Sequence, residues 1–114
     1  MKVPTSKLTA PNFKWGQICE GWKLADSDGL SVAEERVPPG GSEVRHYHEK
    51  ARQFFYVLSG EASLEVEGHE NSIVAGWGIE VEPGSRHRFI NKSDREVVFL
   101  VITAPFAKGD RINV

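Results

Sequence analysis

The sequence contains one cysteine, one methionine and no apolar run of the roughly 20 residues that a membrane-spanning helix needs. With Cys19 alone an intrachain disulfide is excluded, and a reducing compartment is the simplest setting. The chain also lacks a basic excess: 14 Lys and Arg stand against 16 Asp and Glu, for a net charge of -2. That balance leaves no electrostatic footprint for nucleic acid, and no basic amphipathic helix suggests a membrane surface. The first residues, 1–12, carry Pro4 and Pro11 but no apolar core of a secretory signal. A soluble cytoplasmic protein is the expectation. Finally, no segment sustains a helical period, which removes helix bundles from consideration.

What remains is a chain of 114 residues with 39% apolar and 26% charged content, enough for one modest core. Residues 1–12 read as an N-terminal arm, either loose or packed on a neighbour, and residues 13–114 as a single β domain. Short strands with a break at Gly21 are expected over Phe13 to Leu24. Asp26-Ser27-Asp28-Gly29 is turn chemistry, joining Trp22-Lys23-Leu24 to the alternating run Leu30 to Val37. Pro38-Pro39-Gly40-Gly41 stops that strand. Further strands are expected at Val44 to His48, Gln53 to Leu58, Glu61 to Glu67, Ile73-Val74, Trp77 to Val81, His87 to Asn91 and Val97 to Thr103. Gly68-His69-Glu70-Asn71 is read as a turn. Both faces of Gln53 to Leu58 read as buried. Many short strands separated by Gly and Pro turns predict a closed all-β sandwich or barrel.

The chemistry concentrates in His46-Tyr47-His48. On a strand these two histidines share a face, about 7 Å apart, and Gln53 can return on the neighbouring strand. His87 begins another strand just after Pro83-Gly84. In a curled sheet the four side chains converge, and three neutral imidazoles with one oxygen donor suit Zn, Fe, Ni, Mn or Cu. Taken singly, each strand histidine is as readily a surface or hydrogen-bonded core residue. His69, among Glu67 and Glu70, is read that way.

These two segments resemble the paired motifs of the cupin superfamily. Gly40, five residues, His46-x-His48, four residues, Gln53, six residues and Gly60 is similar to the first motif. Gly76, five residues, Glu82-Pro83-Gly84, two residues, His87, three residues and Asn91 is similar to the second. The resemblance covers residues 40–91 and implies a double-stranded β-helix, or jelly roll, around one divalent transition metal (Zn, Fe, Ni or Mn) held by His46, His48, Gln53 and His87. Two departures stand out. Glu82 replaces a proline within a turn that Pro83-Gly84 preserves, and Gln53 replaces a glutamate. A carboxylate would reduce the charge of a divalent ion to about +1, whereas an amide leaves it near +2. Such a centre holds metal less tightly but acts as a stronger Lewis acid and prefers an anionic ligand.

Strand parity puts Val44, Phe55, Val57 and Phe89 on the ligand face as walls of a small-molecule pocket, with core packing as the competing role. Tyr47, Arg86 and Arg88 fall on the opposite face. The same parity puts no dedicated general base on the ligand face, with Tyr56 or a strand-end Glu as the residues that parity would misassign, and Asp110-Arg111 has no assignable role. The resemblance implies a metal-dependent enzyme of dioxygenase or sugar isomerase/epimerase type acting on a small oxygenated or anionic molecule. The alternative is a non-catalytic sensor or storage module. A homodimer is expected, with the arm covering a sheet edge.

Overall fold

A computed structural model describes residues 2–106 and 108–114. Among them there is no helix, and so none long and apolar enough to cross a membrane. Eleven strands form two antiparallel sheets. They are β1 (Asn12–Trp15), β2 (Cys19–Ser27), β3 (Leu30–Val37), β4 (His46–His48), β5 (Arg52–Ser59), β6 (Glu61–Val66), β7 (His69–Val74), β8 (Gly78–Val81), β9 (His87–Ile90), β10 (Val97–Ala104) and β11 (Arg111–Asn113). One sheet runs β1-β2-β3-β10-β5-β8 and the other β11-β4-β9-β6-β7. This is the expected all-β jelly roll, or double-stranded β-helix.

The core lies between the sheets. Alternation on β10 turns Val97, Phe99 and Val101 inward, and alternation on β5 turns Gln53, Phe55 and Val57 the same way. From the facing sheet come Ala62, Leu64 and Phe89, and the Phe89 and Phe99 rings stack with centroids 4.1 Å apart. This apolar plug fills one end of the barrel. The inward positions at the other end are polar: His46, His87, Gln53 and Thr103 are all buried.

Several local expectations change. β2 runs unbroken through Gly21, because the Phe13 ring lies over it: a Cβ there would come within 2.4 Å of that ring. The turn between β6 and β7 is the pair Glu67-Gly68, both at positive φ (50° and 82°), so the hairpin closes with two residues and His69 already belongs to a strand. Phe54, Tyr56 and Leu58 are each more than a third exposed, so only one face of β5 is buried. Residues 2–11 are mostly exposed, yet Lys7 reaches back over the Trp22 ring and within 3.9 Å of Glu34. At Gly60 (φ 83°) any side chain would strike the Glu96 carbonyl at 2.5 Å, which fixes that turn as glycine.

Candidate metal centre

His46 and His87 sit directly opposite each other in the β4–β9 pairing, so their side chains leave the same face, with ring centroids 4.3 Å apart. His48 follows two residues on and projects to that face. The ligand nitrogens of His46, His48 and His87 all lie within 4.8 Å of one another. Gln53 arrives from the other sheet, its Oε1 2.9 Å from His87 Nε2, while its Nε2 donates to Thr103 Oγ1 at 3.0 Å.

Second partners fix the rings. His46 Nδ1–H donates to the Val44 carbonyl at 2.8 Å, and His87 Nδ1–H to the Ser85 carbonyl at 2.9 Å. In a neutral ring that leaves Nε2 with a lone pair directed into the centre. Burial lowers the histidine pKa values, to about 3 for His46 and about 4 for His48, and lowers that of His87. The imidazoles are therefore neutral and ready to donate. Among the described residues His48 Nε2 is buried without a hydrogen-bond partner, a deficit that costs free energy unless something occupies the centre. A neutral His87 also turns a lone pair toward the oxygen of Gln53, an arrangement that a shared cation resolves. These residues fit a divalent metal.

A cavity of about 310 Å³ opens beside the centre, lined by His46, His48, Gln53, Phe55 and Phe89 together with Phe13, Trp15, Glu35, Glu43 and Arg111. A second lobe of about 280 Å³ shares Phe13, Glu35, His48, Gln53 and Arg111, and adds Lys23, Thr103, Phe106 and Lys108. Of the four expected wall residues, Phe55 and Phe89 line the first lobe. Val44 also does, but from the rim and 56% exposed. Val57 is fully buried in the apolar plug and reaches neither lobe, which leaves it a core residue. Tyr47 lies under the Arg86 guanidinium, 4.5 Å from its ring centroid, away from the cavity.

The cavity holds groups that strand parity missed. β4 begins only at His46, and before it the chain leaves the regular ladder. There Glu43 turns inward, and its Oε1 accepts the Phe89 N–H at 3.0 Å. Glu35 lies on β3 between the inward-facing Ala33 and Val37, and that same-face spacing was the available signal. Both carboxyls are held above the ordinary range. Burial pushes Glu35 up to about 8, with the charge of Glu43 adding to the rise. Burial raises Glu43 to about 7, opposed by Arg111 and the Phe89 N–H. The Trp15 indole N–H lies near Glu35 and also opposes the rise, although its geometry falls short of a hydrogen bond. Two carboxyls with raised pKa values thus line the cavity wall.

The fold and this centre define a class: small double-stranded β-helix proteins with a histidine cluster inside one end of the barrel. The Cupin domain family matches residues 33–103, and the chain belongs to that family. It is 30% identical over 79 residues to the polyketide synthase CurC of Streptomyces cyaneus, spanning 69% of this chain and 49% of that protein. It is also 30% identical over 70 residues to an oxalate-binding protein of Thermotoga maritima, spanning 61% of this chain and 58% of that one. The chain thus spans about half to three fifths of the length of these relatives. Among solved structures, the polyketide cyclase RemF of Streptomyces resistomycificus superposes with a TM-score of 0.86 at 23% identity, covering 100% of this chain and 86% of that one. At that identity the likeness speaks for the fold.

Proposed function

We propose that this protein is a metal-dependent enzyme that enolises a small polycarbonyl compound and closes a ring in it. The observation that carries the reading is the pair of carboxyls with raised pKa, Glu35 and Glu43, on the wall of the cavity that the histidine cluster enters. Perturbed acids facing a metal-capable centre are what proton transfer at carbon requires. Of the reaction types the sequence suggested, they favour the isomerase-like, proton-moving kind over dioxygen chemistry. The similarity to CurC lends the substrate class.

His46, His48, His87 and Gln53 would hold the ion, which when bound supplies Lewis-acid polarisation of a carbonyl. Glu43, the more acidic of the pair, in its carboxylate form takes a proton from carbon between two carbonyls. That carbon then bonds to a second carbonyl carbon, whose π bond breaks and whose oxygen receives a proton from Glu35, which holds its proton at neutral pH. Phe13, Phe55, Phe89 and Phe99 exclude water and give planar ligands an aromatic surface. The test is turnover of a panel of linear poly-β-carbonyl compounds by zinc- or nickel-loaded protein, read by chromatography and mass spectrometry as a cyclic product of unchanged mass and altered retention. Glu35→Gln is expected to cut the rate at least about 100-fold. Stoichiometric binding without turnover would favour the alternative, a binding module, for which the similarity to the oxalate-binding protein speaks.

The partner is then a small molecule and, as a second partner, another copy of this chain. Phe54, Tyr56 and Leu58 leave the outer face of β5 beside Leu100 and Ile102 of β10, a continuous apolar surface that suits a two-fold contact. This face, rather than the arm, carries the proposed homodimer. Sedimentation should give a dimer at micromolar concentration that Tyr56→Glu dissociates; a wild-type monomer there would overturn it.

A further inference from the structure

Of the charged side chains in the cavity, Arg111 is the cation that reaches both lobes. Its Nε donates to Asn113 Oδ1 at 3.2 Å, and Nη1 stands 4.0 Å from Glu43 Oε2, beyond hydrogen-bond distance. Among the described residues neither Nη atom has a hydrogen-bond acceptor. The two terminal nitrogens of the guanidinium, the part that grips a carboxylate in bidentate fashion, are therefore free for a ligand.

The chain spends structure on holding this residue in place. β11 pairs with β4 so that Arg111 lies opposite His48 and Asn113 opposite His46. One residue earlier, the Asp110 carboxylate accepts the backbone N–H groups of Lys50 at 3.0 Å and Ala51 at 2.9 Å, between His48 and Gln53. The Val114 N–H donates to the Arg45 carbonyl at 3.0 Å. Arg111 is thus carried on a short strand whose backbone is pinned to the segment that bears two of the candidate ligands. The other cavity cations differ. Lys23 and Lys108 line the second lobe alone, and Lys23 lies 3.8 Å from Asp26. The positive charge of Arg111 reaches across the site, acting on Glu35, Glu43 and all three histidines.

We propose that Arg111 is the specificity-determining residue of this site, its guanidinium gripping a carboxylate or enolate oxygen of the ligand beside the histidine cluster. The substrate class that follows is an anionic carbonyl compound, a 3-oxo carboxylate or an acidic enol, rather than a neutral ketone. This rests on the proposed function for the site but not on its chemistry. A loosely spaced, half-exposed Arg–Glu contact would by itself contribute little to stability, so a purely structural role for the side chain accounts poorly for the strand that carries it.

The experiment compares malonate with neutral malonamide by calorimetric titration of the zinc-loaded chain, with zinc content measured in every variant. Arg111→Gln is expected to weaken malonate about tenfold or more while leaving malonamide within about twofold. Arg111→Lys, which keeps the charge but not the fork, should fall between. An unchanged malonate preference in the Gln variant, or equal losses for both probes, would overturn the proposal. If Arg111→Gln loses its zinc, the Lys variant decides: a preference equal to wild type refutes a bidentate grip. The same titration on the metal-free chain should retain a weaker malonate preference that depends on Arg111. Failure of the cyclase reading would instead appear as absent turnover with that preference intact.

Discussion

Glu35 gives the sharpest test of the cavity's electrostatics, through the substitution Glu35→Gln. In the folded chain burial and the Glu43 charge lift its carboxyl from 4.5 to about 8. The unfolded chain releases that proton near the ordinary value. Between the two pH values the folded state therefore binds more protons, so stability is fully present below about 4.5 and is lost as pH rises through about 8. At about 1.36 kcal/mol per pH unit the whole shift corresponds to at most ~5 kcal/mol, reduced because the side chain borders an accessible cavity. The histidines act in the opposite sense. His46 and His48, depressed to about 3 and about 4, lose stability as pH falls below 6.5, so working above pH 7 leaves the histidines out, and comparison with Glu35→Gln cancels the buried Cys19 thiol, which burial also raises. From pH 7 to 9 folded Glu35 passes from roughly nine-tenths to one-tenth protonated, a loss of about 1.4 kcal/mol, with a few tenths more from Glu43. Urea unfolding of the metal-free chain, followed by tryptophan fluorescence at pH 7, 8 and 9, measures this directly. The wild type should lose about 1.4 kcal/mol more than Glu35→Gln over that range. Parallel stability profiles would show that Glu35 is an ordinary solvated carboxylate and would refute its catalytic assignment.

Gln53→Glu restores a carboxylate to the centre and should tighten zinc binding about tenfold or more in a chelator competition, because the anion offsets a charge near +2. Unchanged affinity would place residue 53 outside the ligand set. Asp110→Ala removes the acceptor for Lys50 N–H and Ala51 N–H and should cost about 1–3 kcal/mol in urea unfolding. A loss below about 0.5 kcal/mol would mean that the C-terminal strand does not clamp the ligand-bearing turn. Gly21→Ala should destabilise by a comparable amount, since its Cβ meets the Phe13 ring at 2.4 Å; a neutral change would mean that the ring moves freely.

How far the sequence spoke for itself follows from which interactions are local. Gly60 and Pro83-Gly84 mark turns that depend on their own dihedrals, and alternation places Phe55, Val57, Leu64 and Phe99 inward without reference to partners. His46, His48 and His87 were legible because spacing along a strand fixes a common face. The strand β11 was not: Arg111-Ile112-Asn113 is too short to show a pattern, and it becomes a strand only by pairing with His46 to His48 some 60 residues away. The carboxylates were missed for related reasons. Glu43 faces inward because the chain leaves the ladder just before β4, where parity no longer applies. Glu35 was hidden within the alternating run Leu30 to Val37, whose other inward positions, Ala33 and Val37, are core residues. Tyr56, by contrast, lies outside because both faces of β5 cannot be buried when only one faces the other sheet.

The proposed function depends most on His46, His48, Gln53 and His87 holding a divalent transition metal. Elemental analysis of protein purified without chelator or nickel resin tests it, together with an anomalous-scattering map of its crystals. The expected result is about one ion per chain, density within bonding distance of the three imidazoles, and loss of at least about nine-tenths of the metal in His48→Ala. A centre that is empty as purified and also refuses added Zn, Ni, Mn and Fe would contradict it.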